Sequence, residues 1–197
     1  MNPTITMNII NFYKIVRMVR DSMSGLDKVQ KIKSLDIYYE QYDAHSLGIK
    51  NSSALDIGCG PSPKNPFHAT NIFGIDVREN LDKGIKCADL AIDPIPFEDS
   101  SFDFITAYDF LEHVPRIIYL PSRRLPFVEL MNEIWRTLKP NGIFLSHTPI
   151  YPYSSVFQDP THVNFLTHET FPRYFDNEFQ LERYTVLQVL SKCFIKS

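Results

Sequence analysis

The segment Ala54-Leu55-Asp56-Ile57-Gly58-Cys59-Gly60-Pro61 constrains this chain more than any other, because an apolar run carrying one carboxylate enters two glycines separated by a single residue. A strand ending this way can turn sharply, since glycine reaches positive φ without the Cβ clash that other residues suffer. The missing side chains also let backbone amides approach a bound molecule closely. A helix starting near Pro61 to Ser62 would aim its positive N-terminal end at that molecule. The pattern therefore predicts a strand, a tight turn and a helix. A lone Gly-x-Gly also serves ordinary connections, so these residues by themselves leave a nucleotide cradle and a plain turn both open.

Downstream, Asn71-Ile72-Phe73-Gly74-Ile75-Asp76-Val77 reads as a second strand ending in a carboxylate, with Asp76 twenty positions after Asp56. In a βαβ unit that carboxylate can bind both hydroxyls of a ribose through its two acceptor oxygens; the plainer alternative is a turn aspartate. A third acidic tip follows at Cys87-Ala88-Asp89-Leu90, ahead of the proline-rich Asp93-Pro94-Ile95-Pro96-Phe97. A fourth strand is predicted over Ser101–Ala107 and a fifth over Ile143–His147, the latter after Leu138-Lys139-Pro140-Asn141-Gly142. Phe127, Leu130, Ile134 and Leu138 recur at helical spacing between them, and Trp135 is expected to pack beside them. This order predicts an α/β, Rossmann-like, doubly wound and mostly parallel sheet with helices on both faces.

The motifs Leu-Asp-Ile-Gly-Cys-Gly, Gly-Ile-Asp, Ala-Asp, Phe-Asp-Phe-Ile, Leu-Glu-His-Val and Leu-Lys-Pro-Asn-Gly occur in that order between residues 53 and 148. Over these residues, about half its length, the chain resembles the class I S-adenosylmethionine-dependent methyltransferases. The resemblance implies that Asp56, Gly58 and Gly60 form the turn around the methionine part of the cofactor, and that Asp76, followed by Val77, holds the ribose. It further places Asp89 and the backbone of Leu90 at the adenine amino group, and Ala107 and Tyr108 beside the methionine end. The family usually closes its sheet with an antiparallel C-terminal strand, expected here from Phe179–Val186 and Leu187–Ile195. Pro61-Ser62-Pro63 departs from the third small residue that often follows the glycine pair.

A nicotinamide-dependent oxidoreductase is the main rival for the turn. Against it, the Gly-x-Gly-x-x-Gly pattern is incomplete, with Ser62 and Lys64 where a third glycine would stand, and Asp56 precedes the first glycine where a phosphate would dislike a carboxylate. A non-catalytic methyltransferase-like subunit is the other alternative. Three acids at strand tips, Asp56, Asp76 and Asp89, favour a working cofactor site over a scaffold.

Composition narrows the acceptor. With 197 residues, 44% hydrophobic and 22% charged, one α/β domain can bury a full core. A net charge of −3 provides no basic face for a phosphate backbone, which disfavours a nucleic-acid substrate and suits a small molecule or glycan. Cys59, Cys87 and Cys193 show no metal spacing, no run reaches membrane-span length, and no secretory signal is evident, so a cytoplasmic setting is expected.

Three regions divide on this reading: an N-terminal helical cap over 1–45, a cofactor-binding core over 51–148, and a substrate loop with C-terminal strands over 149–197. Ile5, Ile9, Phe12, Val16 and Val19 predict an amphipathic helix in the cap, and Val29, Ile32, Leu35 and Tyr39 a second. Asp109–Val114 is expected to open a short helix, followed by an inserted loop over 115–124. Residues 148–164 are long and aromatic for a connection, and loops after the fifth strand reach the carboxyl edge where ligands bind.

Two histidines are candidate bases for a hydroxyl acceptor, because imidazole ordinarily titrates near neutrality: His113 beside the fourth strand and His162 in the aromatic loop. Either could instead orient a loop, and Asp159 and His162 could hold each other. Tyr151, Tyr153 and Asn164 are candidates for orienting a polar acceptor. The six histidines, His45, His68, His113, His147, His162 and His168, form no helical pair at ligand spacing, and with no carboxylate set evident nearby a catalytic metal is not expected.

Overall fold

The computed structural model describes residues 34–167, 169–171, 185–187 and 191–195. The predicted helix through Ile5–Val19 and the stretch at Val29 and Ile32 lie outside these residues. Five strands run parallel: β1 (Ser53–Ile57), β2 (Asn71–Asp76), β3 (Ile85–Cys87), β4 (Phe102–Tyr108) and β5 (Leu138–His147). Two further strands, β6 (Thr185–Leu187) and β7 (Ser191–Ile195), pair antiparallel with each other, and β7 pairs antiparallel with β5. The sheet order is β3-β2-β1-β4-β5-β7-β6. The chain thus leaves β1 to one side for β2 and returns on the other with β4. Their carboxyl ends form the switch point at which open α/β sheets bind ligands.

Strand side chains alternate between faces, and each face carries its own core. On one, Leu55, Ile57, Ile105 and Phe144 pack under α2 (Pro126–Thr137) through Phe127, Leu130, Met131 and Ile134, with Trp135 partly buried against them. On the other, Ala54, Phe104, Ile143 and Leu145 meet Phe67, Tyr42 and Ala44, with Tyr38 and Tyr39 of α1 (Asp36–Gln41) against them. Phe67 stacks on Phe104 with ring centroids 4.9 Å apart. The helix α2 begins with Pro126, whose missing N–H costs nothing in a first turn, and Glu129 accepts the Leu125 amide at 3.1 Å.

The helix expected from Pro61 is not there. Residues 58–70 form turns and irregular backbone, and the reason lies in Pro61, Pro63 and Pro66. Each lacks an amide hydrogen and pushes the residue before it out of helical dihedrals. This loop lies flat on β2: a Cβ on Gly74 would come within 2.6 Å of Cys59 Sγ and 2.7 Å of Pro63 Cγ. The crossover from β2 to β3 is likewise a 3-10 turn, Leu81–Lys83, so among the described residues α2 is the helical crossover of the parallel sheet.

Strand β5 begins earlier than its apolar run suggests. Phe102 pairs with Leu138 and Phe104 with Ile143, so the Lys139–Gly142 stretch bulges out of the ladder, with Asn141 at φ 62. Arg136 near the end of α2 fastens the 93–99 segment beneath it. Its guanidinium donates to Glu133, to Asp99 Oδ1 at 2.8 Å and to the carbonyls of Ile95 and Phe97.

Candidate cofactor cleft and acceptor mouth

At the carboxyl ends of β1, β2 and β4 opens a cleft of about 320 Å³ lined by Gly58, Asp76, Val77, Asp89, Leu90 and His113, together with Ile75, Ala88, Ala91, Asp109, Phe110 and Val114. The volume lies in the range of small-molecule sites. Gly58 and Gly60 both have positive φ, 65° and 61°. A Cβ on Gly58 would meet Phe110 Cδ2 at 2.3 Å, so glycine is required there by space as well as by conformation.

Asp76 closes the turn from below. Its Oδ2 accepts the Gly60 amide at 2.9 Å and its Oδ1 the Arg78 amide at 3.2 Å. Each carboxylate oxygen keeps a second lone pair, and the residue lines the cleft, so Asp76 can both set the turn and receive ribose hydroxyls. Asp89 is exposed at the cleft, its Oδ1 accepting the Ala91 amide at 3.0 Å, and Leu90 beside it is buried.

Asp56 shapes the turn from within the protein. It is 1% exposed and absent from the cleft wall; Thr106 donates to its Oδ1 at 2.7 Å and the Lys64 amide to its Oδ2 at 2.8 Å. Burial raises its pKa against these opposing hydrogen bonds. The carboxylate therefore ties β1 to β4 and pins the proline loop, and it shapes the turn from behind.

Gly60 belongs to the turn but does not line the cleft. Ala107 is fully buried, and the Tyr108 side chain lies on the opposite face, its hydroxyl 3.0 Å from that of Tyr39 and Lys64 Nζ 4.2 Å from its ring centre. Burial lifts the Tyr108 phenol far above its ordinary pKa. Burial likewise pushes the Cys59 thiol up to about 11, which makes it a packing residue. Asp109 and Phe110 are wall residues that sequence reasoning placed only in a helix start; Asp109 at φ 49 was signalled by nothing but the β4 exit.

The aromatic loop folds back onto the β4 exit. Glu112 carbonyl oxygen accepts the amides of Val163 (2.9 Å) and Asn164 (2.9 Å). Asn164 is 1% exposed, donates to Leu111 O at 3.2 Å and accepts from Arg116 Nε at 2.7 Å. Its hydrogen bonds fasten the loop to the β4 exit. Tyr151 and Tyr153 are exposed, as are Phe157 and Phe165, whose rings lie 5.1 Å apart. In the inserted loop, Arg124 turns back to Glu129 and to Ile92 O, while Tyr119 is exposed.

This folding brings His113 and His162 together, with ring centres 5.0 Å apart in an edge-to-face pose. Asp159 does not hold His162 through its side chain: its Oδ1 accepts from the Thr161 amide and hydroxyl, whereas Nδ1 of His162 lies 3.0 Å from Val156 O. Nδ1 of His113 lies 3.2 Å from Thr161 O. Carbonyl oxygens only accept, so both Nδ1 atoms carry hydrogen, and in the neutral form of each ring Nε2 keeps its lone pair. Glu112, to which the Leu-Glu-His-Val motif assigned no role, stands with them: it is 2% exposed, and one potential ligand atom from each of Glu112, His113 and His162 lies within 4.8 Å of the others.

Residues 55–146 match the family model for a methyltransferase domain. A sterol 24-C-methyltransferase, erg6 of Schizosaccharomyces pombe, is 31% identical over 124 residues, 54% of this chain and 30% of the relative. The chain thus spans about a third of the length of the curated relatives it matches. Among solved structures, a proposed sarcosine dimethylglycine methyltransferase from Galdieria sulphuraria superposes with TM-score 0.53 at 19% identity, covering 78% of this chain and 60% of that one. The [4+2]-cyclase SpnF superposes at 0.52 and 20% identity, covering 78% and 58%. These likenesses concern the fold, which the cyclase shares. Motif order, family match and a cleft at the β1/β4 switch point agree: over residues 55–146, just under half of its length, this chain is similar to methyltransferase domains, whose cofactor is S-adenosylmethionine.

Proposed function

We propose that the chain transfers a methyl group from S-adenosylmethionine to a hydroxyl of a small molecule or glycan. The residues present fit the cofactor: two positive-φ glycines allow close backbone approach, and Asp76, Asp89 and Leu90, which the resemblance assigns to the ribose and adenine, all line the cleft. Bound there, S-adenosylmethionine supplies a methyl already activated on sulfonium sulfur. The chain's own work is to align the acceptor, exclude water and take its proton.

One observation carries the choice of oxygen: the two Nε2 lone pairs of His113 and His162, each fixed by a carbonyl on Nδ1, beside a cleft that His113 helps to line. One imidazole accepts the hydroxyl proton as the new carbon–oxygen bond forms and the carbon–sulfur bond breaks. Positioning in favourable cases lowers a barrier by about 7–11 kcal/mol, and a general base adds about 10²–10⁴-fold. Residues 51–148 form the cofactor core on this reading, 149–197 the acceptor wall and closing strands, and 1–45 the cap, in a cytoplasmic setting. The exposed Tyr151, Tyr153, Phe157 and Phe165 favour, as second reading, an apolar acceptor methylated on carbon, the reaction named for the sterol relatives.

Methyl transfer to a panel of sugars, phenols, amines, carboxylates and sterols tests this. O-Methylation slowed about 10²–10⁴-fold in His113→Ala or His162→Ala supports it. Full activity in both variants removes the histidine base, and exclusive turnover of sterols, amines or carboxylates removes the hydroxyl acceptor.

A further inference from the structure

Glu112 carries an oxygen with nothing to bind. Its Oε2 accepts the Thr148 hydroxyl at 2.7 Å, while its Oε1 is buried and without a hydrogen-bond partner. Leaving a carboxylate oxygen in that state is costly unless something positive or hydrogen-bonding meets it. The side chains of His113 and His162 share its ligand-atom cluster, yet neither donates to Oε1; with hydrogen on Nδ1, the neutral ring of each keeps a lone pair at Nε2. One potential ligand atom from each of the three lies within 4.8 Å of the others, and Oε1 still finds no hydrogen among them.

From this we infer that Glu112, His113 and His162 form a divalent-cation site at the mouth of the cleft. The donor set is two imidazole nitrogens and one carboxylate, which suits zinc, manganese, cobalt or ferrous iron and leaves positions open for water or a substrate oxygen. The outer partners are also those of a metal centre. Each imidazole is oriented by a carbonyl on its far nitrogen, and the carboxylate by a buried hydroxyl. Thr161 extends the network, since its hydroxyl donates to Asp159 and lies 3.1 Å from His113 Nδ1. With the ion in place, the imidazoles no longer take the acceptor's proton. The acceptor oxygen would bind the cation, which favours its deprotonated form; its proton would pass to water, and the oxygen would then attack the methyl carbon as the carbon–sulfur bond breaks and S-adenosylhomocysteine leaves. That catalytic consequence rests on the proposed function; the ion site itself rests on the three residues.

The test uses the full chain stripped with a chelator and titrated by calorimetry with Zn²⁺, Mn²⁺ and Co²⁺ separately, with cobalt absorption as a second readout. One ion per chain is expected for at least one metal, with affinity reduced more than about 100-fold in Glu112→Gln and His162→Ala, and about 10–100-fold in Thr148→Val, whose residue touches no ion. Circular dichroism establishes that each variant is folded, and Thr148→Val keeps the test decisive should Glu112→Gln unfold. Failure of all three metals to bind, or binding equally tight in Glu112→Gln and His162→Ala, overturns the site. Specific binding without transfer to any hydroxyl acceptor upholds the site and removes the O-methylation reading. Transfer that proceeds undiminished in chelator, by a protein that binds no metal, upholds that reading and removes the site.

Discussion

The Gly60 amide donates to Asp76 Oδ2 at 2.9 Å, so the carboxylate offered to the cofactor also holds the turn that receives it. Asp76→Ala therefore removes two things at once. Cofactor affinity should fall by about 1.5–3 kcal/mol for each charge-assisted hydrogen bond lost, and thermal stability should fall as well. Asp76→Asn retains an oxygen for Gly60 and should recover stability more than affinity; equal calorimetric affinity in parent and Asp76→Ala would refute the assignment.

The two glycines should differ sharply. Gly60→Ala meets open space and bears only the cost of φ 61°, about 1–2 kcal/mol. Gly58→Ala bears a similar conformational cost and drives its Cβ into the Phe110 ring. Denaturant melts should show Gly58→Ala as the more damaging, and Phe110→Ala added to it should return part of the loss; strict additivity of the two changes would contradict this packing.

Thr106→Val leaves the buried Asp56 carboxylate short of a donor and should cost about 1–3 kcal/mol. The pH dependence has a definite sign. Asp56 has a folded pKa raised by burial, so its contribution is most favourable below the ordinary carboxylate range and is lost as pH rises through the folded value. Removing a donor to the ionised form raises that value further. Denaturation at acidic and neutral pH should therefore find the variant closer to the parent under acid conditions.

The sequence legibly marked β1, β2 and β4, because apolar runs ending in Asp56, Asp76 and Tyr108 are bounded by glycine or polar turns. It misled at Pro61, where the glycine turn argued for a helix that three nearby prolines forbid. Gly58, Asp76, Val77, Asp89, Leu90 and His113 were readable as cleft residues since motif order puts them at strand tips. The inward commitment of Asp56 was not readable, because it depends on Thr106, fifty residues away, facing it across the β1/β4 pair. Nor was the Glu112, His113 and His162 cluster, which exists only because Asn164 and the Glu112 carbonyl fold the aromatic loop back.

His147 Nδ1 lies 2.9 Å from Asp109 Oδ1 on the rim of the cleft. This hydrogen bond lowers the Asp109 pKa and raises that of His147. The Asp109 contribution is present above the ordinary carboxylate value and lost as pH falls through the depressed one. The His147 contribution is present below the ordinary imidazole value and lost as pH rises through the elevated one. Their window runs from mildly acid pH to above about 6.5. Both side chains are well exposed, so the effect on stability should stay under about 1 kcal/mol. Asp109→Asn, which also tolerates φ 49°, should flatten it in pH-dependent melts; an unchanged profile would show the pair to be inert.

Calorimetric titration of the full chain with S-adenosylmethionine, S-adenosylhomocysteine and NAD is the most direct test of the cleft. Saturable binding of the first two at one site per chain, weakened in Asp76→Ala and absent for NAD, is the expected result. Saturable binding of NAD with no heat from either sulfur compound would contradict the cofactor assignment and with it the proposed methyl transfer.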